Sequence, residues 1–260
     1  MQFGQRYMQP LTANAAHRLP SLVIAIPIYK KEFDLEEQSL VDRMFTIFAN
    51  REIVFVAPEN LEKAYYLARY PSAKLSAFPD HFFESVQGYS RLLLSRLFYE
   101  TFCEKDFLLI SQPDVYVFRD DLDLWLQKPY DYVGAPWPQG FSININIGRF
   151  ANVPGGTLLT TFVGNGGFSL RKIEKCLGML EQDREVAQWF SASGSNEDLF
   201  FSLIGSMTAG MVFPNPIEAS LFSMEVSPEY FNSLNGQVTP MAAHAFRKHS
   251  PEFWMEKGVL

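Results

Sequence analysis

At 260 residues, 47% hydrophobic and 20% charged, the chain can bury a sizeable core and is not disordered as a whole. Its 29 acids against 22 Lys and Arg give a net charge of −7, which excludes recognition of nucleic acid by broad phosphate neutralisation. Two cysteines, Cys103 and Cys176, cannot build a disulfide scaffold and suit a reducing compartment. No apolar run reaches the about 18 residues of a membrane span, and the amino terminus lacks a signal-peptide build. The expectation is a soluble, cytoplasmic protein.

Residues 1–19 are unpatterned and read as a loose leader; residues 20–260 read as one domain. Leu22–Tyr29 is continuously apolar and predicts a buried strand. Asp34 with Glu37 has the spacing of a capping box, and Leu40, Val41, Met44, Phe45 and Phe48 fall on one helix face behind it. A second buried strand follows over 52–57, then a short helix over 61–69 and a weaker strand near 74–78. Tyr89, Leu93 and Leu97, with Leu94, Phe98 and Phe102, recur every four residues and predict one helix over 85–102. Strands are expected at 107–111 and 130–135. Residues 139–163 read as a long loop or a small antiparallel insertion. A strand end passing into a helix is expected over 168–182 and a helix over 196–205, with a loop-rich tail after 210. This alternation predicts an α/β fold with a mainly parallel sheet and helices on both faces.

Four constellations could carry chemistry. Gln112-Pro-Asp114 follows a buried strand, where open α/β sheets bind ligands. A carboxylate there suits Mg²⁺ or Mn²⁺ bridging phosphates, the alternative being a turn cap after Pro113. Asp120, Asp121 and Asp123 read as a solvated helix start. Gly164-Asn-Gly-Gly167 lets backbone pass close to a ligand, with Ser169 and Arg171 able to add polar contacts. Its spacing is not that of a dinucleotide fingerprint.

Glu197 and Asp198 open an apolar helix, either complementing its dipole or supplying a general base for a bound hydroxyl. Near the end, His244 could close a metal site, and Arg247 and Lys248 could neutralise a diphosphate. Arg91, on a helix face with Ser95 and Arg96, could also reach phosphate. Among the remaining histidines, His249 is expected to face solvent, and nothing singles out His17 or His81. Signatures of α/β-hydrolases, zinc proteases and P-loop enzymes are missing.

Taken in order, Leu22–Tyr29, Tyr89-Ser-Arg-Leu, Gln112–Phe118, Tyr130–Trp137, Gly164–Arg171 and Asn196-Glu-Asp198 resemble the DUF5672 family, glycosyltransferase-like proteins of the GT-A type, over roughly residues 20–250. The resemblance implies a GT-A fold and transfer of a sugar from a nucleotide-sugar donor, with a UDP-sugar favoured, to a hydroxyl of a glycan or glycoconjugate. It also implies Mn²⁺ or Mg²⁺ at Asp114 and His244. Gln112 stands where the first acid of the D-x-D pattern would be. Pro27 and Tyr29 would meet the base and ribose; Arg91, Gln112, Asp114 and Lys248 would lie on the donor side. Trp137 with Gly164, Asn165, Gly166 and Gly167 would flank donor sugar and acceptor. Asp198 matches the base of inverting enzymes, with Glu197 as its acceptor-orienting or capping partner.

The main rival is a module of the same fold that holds a nucleotide-sugar or glycan without turnover. A sugar-nucleotide pyrophosphorylase is disfavoured, because Tyr29-Lys-Lys-Glu32 carries no glycines. Peripheral membrane contact, at the inner face, would run through Phe246, Phe253 and Trp254.

Overall fold

Strands and helices alternate in the computed structural model, which describes residues 19–207 and 210–259. Strand β1 (Leu22–Pro27) leads to α1 (Leu35–Ile47), β2 (Ile53–Pro58), α2 (Ala64–Arg69) and β3 (Lys74–Phe78). Helices α3 (Val86–Leu93) and α4 (Arg96–Glu100) precede β4 (Phe107–Ser111), β5 (Tyr116–Val117) and α5 (Leu122–Leu126). A long hairpin of β6 (Tyr132–Ile145) and β7 (Thr157–Lys172) runs into α6 (Ile173–Gln182), α7 (Arg184–Ser193) and α8 (Glu197–Gly205). Then come α9 (Pro216–Phe222), β8 (Ser223–Met224), α10 (Pro228–Leu234), β9 (Ala242–Ala243) and α11 (Pro251–Glu256).

The main sheet has the order β3-β2-β1-β4-β7-β6. Strands β1 to β4 are parallel, and β7 alone runs against both of its neighbours. The apolar strands are covered on both faces. In β1, Val23 and Ala25 enter one core while Ile24 and Ile26 enter the other; Leu108 and Ile110 of β4 part in the same way from Phe107 and Leu109. The first core takes its helical residues from α3, α4, α6, α7 and α8, the second chiefly from α1, α5 and α9. Because β1 lies between β2 and β4, a crevice opens past the carboxyl ends of β1 and β4.

Local chemistry explains the boundaries. Asp34 accepts from the backbone of Glu36 and Glu37, and Glu37 answers Asp34, so the expected capping box starts α1. The single helix predicted over 85–102 is two. Leu94 leaves helical geometry, and the Ser95 hydroxyl caps α4 by accepting from Phe98 N at 3.3 Å. Residues 139–163 form the antiparallel alternative, with Phe141↔Thr161 through Ile145↔Thr157 in register. Asp120 and Asp123 are not merely solvated, since they bind Arg51 at 2.8 and 2.7 Å. Cys176 is buried and Cys103 exposed.

The tail holds more helix than its composition predicts. Helices α9, α10 and α11 are seven, seven and six residues long and each starts on a proline, too short to display a periodicity. They bury Phe246 and Trp254 in a third cluster with Phe231, against Tyr116, Phe118 and the half-buried Phe253. This corrects the route proposed for membrane contact, because Phe246 and Trp254 are core residues. No helix among the described residues is long and apolar enough to cross a membrane. All of the expected leader 1–19 except Leu19 lies outside the described residues, as does His17.

Candidate active site

The crevice is lined from β1 and β4 outward. Pro27 and Tyr29, with Phe33, Glu37, Tyr66 and Pro113, line a shallow depression beyond β1. It adjoins a second depression of about 260 Å³, which shares Glu37 and brings Asp114 together with Lys248, Arg247 and Glu36. Two donor-side candidates, Asp114 and Lys248, therefore face the same space. Arg91, half-buried in the last turn of α3, makes no hydrogen bond or ion pair with them among the described residues. A separate cavity of about 660 Å³, lined by Ser21, Phe107, Lys128 and Lys172, lies where β1 and β4 begin, at the opposite edge of the sheet. It contains none of the candidates.

Three polar atoms converge behind Asp114. His244 Nε2 stands 3.0 Å from Gln112 Oε1 and 3.3 Å from Asp114 Oδ1, while its Nδ1 lies 2.6 Å from Glu225 Oε2. Burial opposes charge on this imidazole, yet the hydrogen bonds from Asp114 and Glu225 prevail and push it up to about 10. As an imidazolium it donates to carboxylates on both sides. Burial likewise works against the Asp114 carboxylate, and His244 outweighs it to hold the carboxyl below its usual range. Half the Asp114 side chain is open to solvent (51%), so this pairing is screened.

A cation could meet the same atoms only by displacing the proton from His244 Nε2. Neighbouring ligands of an octahedral ion at 2.0–2.1 Å stand about 3 Å apart, close to the spacing of His244 Nε2 from Gln112 Oε1 and from Asp114 Oδ1. Glu225 occupies the place of a carboxylate orienting a ligating imidazole. The set is sparse: among the described residues no three His, Cys, Asp or Glu side chains are arranged to hold a metal. The third atom is an amide oxygen.

The glycine segment of β7 lies between this cluster and the acid pair. Register slips between Val133 and Ala135 of β6, and across the slip Gly166–Ser169 separate from β6. Gly167 O accepts from Gln112 N at 2.9 Å, and no room for a Cβ exists between Gly167 and the His244 ring. One residue earlier, Gly166 N donates to Asp198 Oδ2 at 3.1 Å. A Cβ on Gly166 would lie 3.0 Å from Glu197 Oε1 and 3.2 Å from Asp198 Cβ. Tyr132 Oη donates to Gly164 O at 2.9 Å, and Trp137 lies against Gly164. Asn165 pairs with Ala135 in the hairpin. The segment expected as a floor thus joins His244 to Asp198 through two adjacent residues.

Glu197 and Asp198 form the first turn of α8, and neither serves only the helix dipole. Glu197 turns inward, accepting from Arg171 Nη2 at 3.0 Å and from Ser90 Oγ at 3.1 Å. It is buried, and each of its oxygens accepts a hydrogen bond from within the protein. Asp198 Oδ1 is buried with no hydrogen-bond partner among the described residues. Burial first, and the neighbouring Glu197 charge second, push its carboxyl up to about 7, against the pull of Arg171 and Gly166 N–H. Glu225, Ser90 and Tyr99 complete these networks without belonging to any motif.

A mainly parallel sheet in which β7 alone is reversed matches the GT-A glycosyltransferase fold. The family profile "Protein of unknown function (DUF5672)" matches residues 72–244, more than half of the chain, and the chain belongs to that family. Solved structures share the fold at low identity. Mouse xyloside xylosyltransferase 1 aligns with TM-score 0.50 and 11% identity over 85% of this chain and 96% of its own. The galactosyltransferase LgtC, solved with donor and acceptor sugar analogues, aligns with TM-score 0.50 and 16% identity over 85% and 86%. GlyE of Streptococcus pneumoniae TIGR4 aligns with TM-score 0.50 and 11% identity over 92% and 60%. No curated protein matches the sequence.

Proposed function

We propose that this chain is a glycosyltransferase that moves a sugar from a nucleotide-sugar donor, a UDP-sugar being favoured, to a hydroxyl of a glycan acceptor with inversion. The observation that carries this reading is the Asp198 carboxyl. One oxygen is fixed by Gly166 N–H, the other is buried without a partner among the described residues, and burial beside Glu197 pushes the pKa up to about 7. A base works best when its pKa lies near the working pH. The glycosyltransferase folds of the structural neighbours support the class of reaction.

In the single displacement, the acceptor oxygen forms a bond to the anomeric carbon while Asp198 takes its proton. The bond from that carbon to the diphosphate oxygen breaks, and the leaving group departs with the electron pair. Lys248, sharing the depression with Asp114, offers positive charge to it. Mn²⁺ or Mg²⁺ held by Asp114, His244 and Gln112 would supply charge stabilisation for the same diphosphate. Pro27 and Tyr29 border the place for base and ribose, and Trp137 with Gly164–Gly167 borders that for sugar and acceptor.

The test is a panel of UDP-, GDP- and CMP-sugars with product detection. Asp198→Asn should abolish transfer while donor binding survives, and wild-type turnover in that variant would exclude the assignment. Asp114→Ala should weaken nucleotide binding in the presence of Mn²⁺. Gln112, which withholds one negative charge from the cation site, favours a second reading: a binding module without turnover. Donor binding without product in every combination would select it.

A further inference from the structure

We infer that the buried Arg171–Glu197 pair is a positioning unit that aims the Asp198 carboxyl and sets the pH range over which that carboxyl can take a proton. This rests on the reading of Asp198 as the base. Arg171 is wholly buried, and each of its guanidinium nitrogens is committed. Nε donates to Ser169 Oγ at 3.0 Å, Nη1 to Tyr99 Oη at 3.0 Å and Nη2 to Glu197 Oε1 at 3.0 Å. Its Cζ lies 5.1 Å from the Tyr132 ring centroid and 5.6 Å from that of Phe201. Glu197 Oε2 accepts from Ser90, so one ion pair ties β7, α4, α8 and α3 together.

Both ends of this unit reach the backbone that holds the acid. The Ser169 hydroxyl, anchored by Arg171, donates to Gly166 O at 2.9 Å, and Gly166 N donates to Asp198. Glu197 precedes Asp198 directly in α8. Movement of the guanidinium would thus disturb Asp198 from two directions.

A buried ion pair is a poor way to gain stability, since well-packed apolar residues of similar volume often do as well or better. Charge retained here has an electrostatic use. Glu197⁻ makes Asp198 hold its proton more tightly, and Arg171⁺ opposes it. The other titratable groups facing this centre are Tyr132 of β6, Tyr89 of α3, Tyr99 of α4 and Cys176 of α6. Burial raises the three phenols and the thiol, which keeps them neutral. The balance therefore rests on the two charged partners.

The experiment compares Glu197→Gln, Arg171→Met and Arg171→Lys in the full chain, following the pH dependence of transfer and, independently of activity, the ¹³C carboxyl titration of Asp198. Glu197→Gln should move the acidic limb and the Asp198 titration to lower pH by about one unit or more. Arg171→Met should move both upward, and Arg171→Lys should restore them towards wild type. In Glu197→Gln, kcat should fall while KM for donor stays near wild type. Losses without a shift of the titration, or shifts in the same direction for both neutralising variants, would overturn the inference. Should Arg171→Met fail to fold, Glu197→Gln and the lysine variant decide alone. Shifts in the titration with no transfer in any variant, wild type included, would leave the positioning unit standing and remove the transferase reading.

Discussion

The His244 ring lies so close to Gly167 that no side-chain atom fits between them. One wall of the imidazole is therefore backbone, and the ring can turn to face Gln112, Asp114 and Glu225 only because position 167 carries no Cβ. Gly167→Ala should displace the ring and break these contacts. Mn²⁺ affinity, followed by electron paramagnetic resonance, should fall at least about tenfold, a cost of about 1.4 kcal/mol. Unchanged affinity would remove His244 from the cation site.

Gln112→Glu puts a carboxylate where the cluster now has an amide. The new oxygens replace an amide already 3.0 Å from His244 Nε2. Mn²⁺ should bind about tenfold more tightly without nucleotide. Equal affinity in calorimetric titrations of both proteins would show that residue 112 does not meet the ion.

Asp198 also makes a prediction about folding. Its folded pKa, pushed up to about 7, exceeds the unfolded value, so the folded state holds the proton more tightly. Stability from this group is complete below the unfolded value and is lost as pH rises through about 7. Asp198→Asn removes the ionisation. It should melt higher than wild type at pH 8, by at least about 2–4 °C for each 1 kcal/mol recovered, and this advantage should shrink at pH 5. Parallel melting curves at the two pH values would contradict a raised pKa.

Ser95→Ala tests the break between α3 and α4, away from the polar cluster. Loss of the cap to Phe98 N should cost about 1 kcal/mol and lower the melting temperature by about 2–4 °C. Metal and nucleotide affinities should not change.

The sheet was legible where strands are buried on both faces, since β1, β2 and β4 are continuous apolar runs, and α1 announces itself through Asp34 and Glu37. Two halves of the candidate site were legible as the motifs around Gly164–Gly167 and Glu197–Asp198. Their contact was not, because a hydrogen bond from Gly166 to Asp198 joins residues 32 apart and leaves no periodic trace. Glu225, directly after the buried Ser223–Met224 pair, has no pattern around it. Ser90 gave one faint signal, a polar position buried among the apolar residues of α3. Arg171 was visible as a polar neighbour of the glycines, but only packing reveals that it is enclosed by Tyr132, Phe201 and Tyr99.

Strand β7 runs unbroken from Thr157, at the far end of the hairpin, through Gly166 to Lys172. At about 3.3 Å per residue the arm extends at most about 30 Å beyond Gly166. Lengthening or shortening it would change how far the hairpin projects, while the contact from Gly166 to Asp198 stays as it is. Projection and that contact are mechanically separable on a single strand.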